Sequence, residues 1–308
     1  MDRPPSPTPP PSTSPGAARF ALPAIFFGAV VIGFAPILVR LSEIGPTATA
    51  FHRFLLAIPV YWAVVAALPR EEAAPKRRPK SARDFALIAM AGVWLAADMG
   101  VWHLSIGMTS VANSTLLANV APVFVVLGGW ILFRTRVTRT YLVGLALAMA
   151  GVAVLSQASL SLSGERFAGD LLGVLTGFFY ACYQMTVERL RRRFDTLTIM
   201  LYAIPVSALV MLPFVLVSGE SLLPGTLAGW AVLAALAAGP QVLGQGLIAW
   251  ALAHLPVAFA SVSLLVQPVT AAVVAWALFG EHVGPQQAAG AAVVLTGILL
   301  ARRGSVRP

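Results

Sequence analysis

Long apolar stretches, separated by short polar or Gly- and Pro-containing breaks, follow one another along most of the chain. A spanning α-helix needs about 20 mostly apolar residues to cross a hydrocarbon core of ~30 Å. Ten stretches suit that length, and we number them spans 1 to 10. The spans lie near 20–41, 46–68, 85–106, 109–133, 140–157, 168–188, 196–217, 226–252, 256–279 and 286–302. The pattern predicts an all-α polytopic membrane protein with ten transmembrane helices.

The composition excludes a water-soluble protein. The chain is 58% hydrophobic and 11% charged, whereas a soluble domain carries about 25% charged residues. Residues 1–19 are rich in Pro, Ser and Thr, which predicts a disordered tail. Cys182 is the only cysteine, so neither a disulfide framework nor a cysteine-rich metal site is expected.

The basic residues test the number of spans, because cytoplasmic loops hold the excess Lys and Arg. If the amino terminus lies inside, all but Arg40, Arg53 and Arg166 of the 21 Lys and Arg residues fall in cytoplasmic tails and loops. The net charge of +9 therefore reflects membrane topology, and no nucleic-acid partner is expected. We predict a multi-pass protein of the cell (inner) membrane, with the lipid bilayer around it and both termini cytoplasmic.

The chain also resembles itself at a shift of 146 residues, the separation between Ala57 and Ala203. One shift serves three separate regions, which indicates duplication. The matching residues are Ala57–Val60 with Ala203–Val206, Pro122 with Pro268, and Gly144 and Gly151 with Gly290 and Gly297.

Each copy contains five helices, an odd number, so the second copy must enter the membrane from the opposite side. The connecting loops agree: residues 133–136 read Phe-Arg-Thr-Arg, whereas their counterparts 279–282 read Phe-Gly-Glu-His. Such inverted repeats are typical of secondary transporters. The predicted units are a tail at 1–19, a first repeat at 20–157, a second, inverted repeat at 158–302 and a basic tail at 303–308.

Several segments of both halves are similar to EamA-type transporters of the drug/metabolite transporter superfamily. They are Gly244–Gly246, Leu255-Pro256, Ala260–Ser263, Gln267-Pro268 and Phe279–Glu281 in the second half, and Thr109–Asn113 and Pro122 in the first. The resemblance covers about 20–302. It implies ten helices in a 5+5 inverted repeat, and transport or export of amino acids and other metabolites. One departure is that Arg134-Thr135 replaces the acidic residue typical at the end of the fourth helix, whereas Glu281 keeps it in the second half.

Two charged residues fall well inside spans, away from the ends, where each costs ~2.5–3.5 kcal/mol and marks a candidate functional site. At 1.5 Å per residue, Arg53 in span 2 and Asp98 in span 3 lie about 10 and 12 Å from the same outer end. They either bind substrate, with Asp98 also able to carry a coupling proton, or form a buried pair that only fixes helix packing. Trp94, four residues before Asp98, could hold a substrate ammonium group by cation–π attraction.

Uncharged polar residues on spans 4, 6, 8 and 9 complete the predicted substrate-binding set. Their amide and hydroxyl groups can bind substrate, or only join helices to one another. These residues are Asn113, Asn119, Tyr180, Tyr183, Gln184, Gln241, Gln245 and Gln267. The matching Pro122 and Pro268 predict symmetric kinks at the cavity or its gates.

The sequence contains no HExxH, Walker loop, paired carboxylates or nucleophilic triad, so we predict neither an enzyme nor a cofactor. The predicted function is a secondary transporter that works by alternating access and exports amino acids or related small polar metabolites. The alternative is a membrane-embedded protein without transport activity. A lipid-modifying enzyme would need clustered acids or histidines near one face, and an assembly partner would have less reason to keep two inverted halves.

Overall fold

The computed structural model describes residues 15–67, 78–109, 111–156, 164–280 and 284–305, and these are helical apart from short connections. The elements are α1 (Pro15–Gly33), α2 (Ala35–Arg40), α3 (Pro46–Ala67), α4 (Ala82–Met108), α5 (Val111–Ala118), α6 (Ala121–Phe133), α7 (Arg139–Ser156), α8 (Gly164–Arg191), α9 (Thr196–Val217), α10 (Leu227–Leu236), the π-helix π1 (Ala237–Gly244), α11 (Gln245–Ala251), α12 (Val257–Ser263), α13 (Val266–Phe279) and α14 (Pro285–Ser305).

These elements form ten membrane-length segments, because α1–α2, α5–α6, α10–π1–α11 and α12–α13 each continue one span across an interruption. Within the described ranges, eight segments are long and apolar enough to cross a membrane. Of the other two, α7 is apolar but shorter, and the 28-residue α8 carries charged residues near both ends. The predicted all-α, ten-helix polytopic fold is confirmed.

Proline explains two of the interruptions. Helix α5 ends at Ala118, four residues before Pro122, and α12 ends at Ser263, five residues before Pro268. A proline has no N–H to donate to the carbonyl four residues earlier and its ring crowds that carbonyl. The fourth span of each half is therefore broken near its middle, at the symmetric positions that the sequence predicts.

Corresponding backbone conformations in the two halves show the same duplication. Arg134, which ends α6, and Gly280, which ends α13, both adopt the left-handed helical conformation, with φ of 53° and 65°. Gly280 is the residue that the shift of 146 aligns with Arg134. A left-handed conformation suits glycine and is unfavourable for arginine, so the fold imposes this helix end on both sequences.

Close packing between α7 and α14 shows that the copies are inverted. A Cβ atom on Gly144 would lie 2.3 Å from the nitrogen of Ala301 and 2.7 Å from the oxygen of Gly297. One on Gly151 would lie 2.9 Å from the oxygen of Gly290. Gly144 therefore meets the repeat equivalent of Gly151, and Gly151 meets the equivalent of Gly144. Equivalent helices that touch in this reciprocal order run antiparallel, as a 5+5 inverted repeat requires.

The loops on the predicted outer side join the halves through two carboxylates. Glu43, before α3, accepts hydrogen bonds from the N–H groups of Gly225 (3.0 Å) and Thr226 (3.1 Å) and from the Thr226 hydroxyl at the start of α10. The hydrogen bond from the Thr226 hydroxyl, followed by those from the backbone N–H groups, holds the pKa of the Glu43 carboxyl below its ordinary value. Glu220 in turn accepts the N–H of Ala48 at 2.7 Å in the first turn of α3. Each acid thus satisfies free N–H groups at a helix start in the other half.

The predicted cytoplasmic side is joined by an ion pair. Arg193, which follows α8, binds the carboxylate of Asp84 in the first turn of α4 at 2.9 Å. The Asp84 side chain is 1% exposed. The loop after the first span of each half therefore holds the start of the third span of the other half, on opposite sides of the molecule.

The α7–α14 contact predicts the effect of adding one methyl group. We expect Gly144→Ala to lower the unfolding free energy by about 1–3 kcal/mol, because the new Cβ would overlap the backbone of α14. Thermal unfolding in detergent measures the change. Gly100→Ala in α4 is the control, since the nearest described atom to its Cβ would be the Met211 sulfur, at an ordinary 3.5 Å. An equal effect of both substitutions would contradict the described packing.

Candidate functional site

A cavity of about 140 Å³ lies between the two inverted halves. Its wall combines residues of α1–α4 and the α5–α6 segment with residues of α8, α11 and α13. The polar lining residues are Arg53, Asp98, Thr115, Asn119, Thr176, Tyr180, Gln245 and Gln267. Apolar groups such as Ile32, Val39 and Trp102 form much of the rest.

Many of the side chains predicted from the sequence meet at this cavity. Both charged candidates are in the wall, together with amides from both halves and a phenol from the second. The predicted residues that line it are Arg53, Asp98, Asn119, Tyr180, Gln245 and Gln267.

Four other predicted residues, Trp94, Tyr183, Gln184 and Gln241, are not among the described lining residues. Trp94 stacks on Phe179, with 5.9 Å between ring centroids. Tyr183 is buried and stacks on Tyr180, and Gln184 and Gln241 are fully buried. Asn113 lies in α5, but its side chain is outside the part of the chain that the structure describes. Glu281, the acid that the second half keeps, also lies outside the described ranges.

Arg53 enters the cavity from the third turn of α3. The side chain is 6% exposed, and its Nε donates a hydrogen bond of 2.8 Å to Oε1 of Gln241. Its Nη1 lies 3.9 Å from the sulfur of Met99, another lining residue. The hydrogen bond from Nε to Gln241 thus restrains the position of the guanidinium.

Asp98 faces the same cavity from α4 and is 3% exposed. Among the described residues, no group donates a hydrogen bond to its carboxylate, and no Lys, Arg or His nitrogen lies within the 4.0 Å of a salt bridge. The buried Arg53–Asp98 ion pair that the sequence allowed is therefore not formed. The two side chains share one cavity and do not contact each other directly.

The second half supplies uncharged groups opposite these charges. The Tyr180 hydroxyl on α8 lies 3.4 Å from Oε1 of Gln245 on α11. Nε2 of Gln267 on α13 is buried with no partner among the described residues. Amide and phenol groups of this kind can donate or accept hydrogen bonds as a bound solute requires.

A π-helix adjoins the site, and the sequence analysis did not predict it. Residues 237–244 form π1, which contains Pro240 and Gln241. The hydroxyl of Tyr61 donates to the backbone oxygen of Gln241 at 3.1 Å. Pro240, which cannot donate a backbone hydrogen bond, was the available signal for an irregular turn.

Sequence reasoning also missed three lining residues that helical spacing could have identified. Trp102 lies four residues after Asp98, Thr115 four before Asn119, and Thr176 four before Tyr180. Residues four apart share one face of an α-helix. A search one turn away from each candidate would have found them.

Comparison with known proteins identifies the family. The model of the EamA-like transporter family matches residues 19–157 and again residues 167–303. This chain belongs to the EamA-like transporter family. The transporter is therefore a multi-pass membrane protein of the drug/metabolite type, as the resemblance implied.

Curated relatives of the transporter carry related names. An uncharacterized transporter of Archaeoglobus fulgidus is 29% identical over 60% of this chain and 63% of its own length. A probable terminal-alkyne amino-acid exporter of Streptantibioticus cattleyicolor is 30% identical over 74% of this chain and 76% of its own. A probable amino-acid metabolite efflux pump of Salmonella typhimurium is 27% identical over 87% and 89%.

One solved crystal structure has the same fold. It covers 94% of this chain and 100% of the other, with a TM-score of 0.78 and 17% sequence identity. That likeness concerns the fold alone.

The separation of the two charges predicts how the transporter tolerates loss of the buried acid. Asp98→Asn removes no hydrogen bond or ion pair among the described residues, so we expect unchanged or raised thermal stability. Breaking a buried ion pair would instead cost about 3–5 kcal/mol. Thermal unfolding in detergent distinguishes the two.

Asp84→Asn is the matched control, because it makes the same substitution on the same helix in a carboxylate that binds Arg193 at 2.9 Å. It should lower the unfolding temperature. If Asp98→Asn lowered it as much, Asp98 would be a structural ion-pair partner.

Proposed function

We propose that this chain is a secondary transporter that exports small zwitterionic metabolites, with amino acids as the leading class, across the cytoplasmic membrane by alternating access. One observation carries the proposal. Arg53 and Asp98 line one cavity between inverted halves, yet they do not bind each other. A buried charge without a direct partner is costly, so a solute that supplies both opposite charges would be stabilised there.

The chemistry of the wall fits an α-amino acid. The guanidinium of Arg53 has its Nη groups available for a carboxylate, which it can bind in a two-pronged manner. The carboxylate of Asp98 can bind an ammonium group. Apolar lining by Ile32, Val39 and Trp102 suits a hydrophobic side chain. The names of two relatives, an amino-acid exporter and an amino-acid metabolite efflux pump, support this substrate class and direction.

Alternating access would use the pseudo-symmetry of the two halves. Inverted repeats can exchange conformations, so that a central site opens to one side and then to the other. The Glu43 and Glu220 contacts join the halves at one end, and the Asp84–Arg193 ion pair joins them at the other, so these contacts would serve as the two gates. Breaking one set at a time would admit solute from only one side. Asp98 is also the group that could carry a coupling proton.

Counterflow in proteoliposomes tests this function. Vesicles containing the purified chain and loaded with an unlabelled amino acid should accumulate the same labelled amino acid from outside, with L-leucine as the first probe and every other protein amino acid in turn. Protein-free vesicles should not. If no amino acid exchanged, the proposed substrate class would be wrong, and a role without transport would gain support.

Two substitutions test the site within that assay. We expect Arg53→Gln and Asp98→Asn each to reduce counterflow of the transported amino acid by about tenfold or more, because each removes a charged hydrogen bond worth roughly 1.5–3 kcal/mol. Arg192→Gln is the control, since Arg192 is exposed and its ion-pair partner in the described part of the chain is Glu188, one turn away. Full transport by both site variants would refute the assigned roles.

A further inference from the structure

Gln241 lies one layer behind the cavity wall. It is fully buried in π1, and its Oε1 accepts the 2.8 Å hydrogen bond from Nε of Arg53. It does not line the cavity itself. A substrate in the cavity would therefore meet Arg53 and not Gln241.

The position of Gln241 is fixed by its backbone. Tyr61, two turns after Arg53 on α3, donates its hydroxyl to the backbone oxygens of Gln241 (3.1 Å) and Val242 (3.4 Å). Helix α3 therefore contacts π1 at two points. Tyr61 binds the π1 backbone, and Arg53 binds the side chain of Gln241. The amide oxygen cannot move far from the place where it meets Nε.

Of the two polar atoms of the Gln241 amide, Oε1 has a hydrogen-bond partner and Nε2 has none among the described residues. Nε2 is also buried. A buried polar group without a partner destabilises the folded state, so an apolar residue would serve packing alone better. The contact that accounts for an amide here is the one to Arg53.

That contact opposes a strong attraction. Opposite charges attract each other more strongly in a protein interior than in water, because the effective dielectric constant is lower there. Arg53 and Asp98 line the same small cavity, yet they do not come within salt-bridge distance. A bond to Nε restrains the whole planar guanidinium, because Nε is part of that plane.

We propose that Gln241 is a positioning residue that holds Arg53 away from Asp98 and so keeps both charges available to a zwitterionic substrate. This inference rests on the proposed function of the cavity. Without the amide, the guanidinium would move to Asp98 and the site would neutralise itself.

Gln241→Met tests the inference, because it keeps the length of the side chain and removes the acceptor. We expect the Kd for L-leucine to rise about tenfold or more, while the unfolding temperature stays unchanged or rises as the new ion pair forms. A merely structural glutamine would give a lower unfolding temperature. Gln287→Met is the control: Gln287 accepts a hydrogen bond from Gly284 at 3.0 Å in α14 and does not line the cavity.

A double-mutant cycle tests the separation of the charges. With 4-methylpentanoate as a probe that has a carboxylate and no ammonium group, Gln241→Met should weaken binding about tenfold in the natural chain. In an Asp98→Asn background, where Arg53 has no anion to move to, it should weaken binding much less. Equal losses in both backgrounds would overturn the inference.

A structure of the Gln241→Met variant gives a result that does not depend on the substrate. It should show an Arg53 nitrogen within about 4 Å of an Asp98 oxygen. Charges that remain apart would overturn the inference, even if amino acids are transported. A newly formed ion pair in a chain that binds no amino acid would support the positioning role and refute the proposed substrate class.

Discussion

Two ionisable side chains of opposite sign, Arg53 and Asp98, line one cavity of an apolar bundle without binding each other. Burial makes each charge costly, and their mutual attraction would relieve part of that cost if they met. The hydrogen bond from Arg53 to Gln241 keeps the guanidinium in place. The site, the proposed substrate and the use of a π-helix all depend on this separation.

Inverted duplication provides the cavity in which that separation is possible. The glycines of α7 and α14 bring the two halves into backbone contact, as the reciprocal approach of Gly144 to Gly297 shows. Each half then adds a broken fourth span beside the cavity. The halves are alike in backbone and unlike in chemistry: at the shift of 146, Asp98 aligns with Gly244, next to Gln245. Both charged lining residues, Arg53 and Asp98, therefore belong to the first half, whereas the described polar residues that the second half contributes are all uncharged.

Much of this fold follows from the sequence, because apolar length, basic loops and the repeat are properties of long segments. The breaks near Pro122 and Pro268 were predictable, since a missing N–H acts locally. The placement of single side chains was harder to predict. Trp94 and Trp102 lie on the same helix near Asp98, but only Trp102 lines the cavity. Helical spacing gives a face of α4 and does not show which neighbour, Phe179 or the cavity, that face meets. The π-helix escaped prediction because Pro240 permits several kinds of irregular turn.

The central claim is that the cavity recognises both charges of one small molecule. Calorimetric titration of the purified chain with L-leucine, 3-methylbutylamine and 4-methylpentanoate tests it most directly, because these ligands share a side chain and differ in their charged groups. The account predicts that the amino acid binds about tenfold or more tightly than either singly charged analogue. Equal affinity for the amino acid and one of the analogues would contradict it.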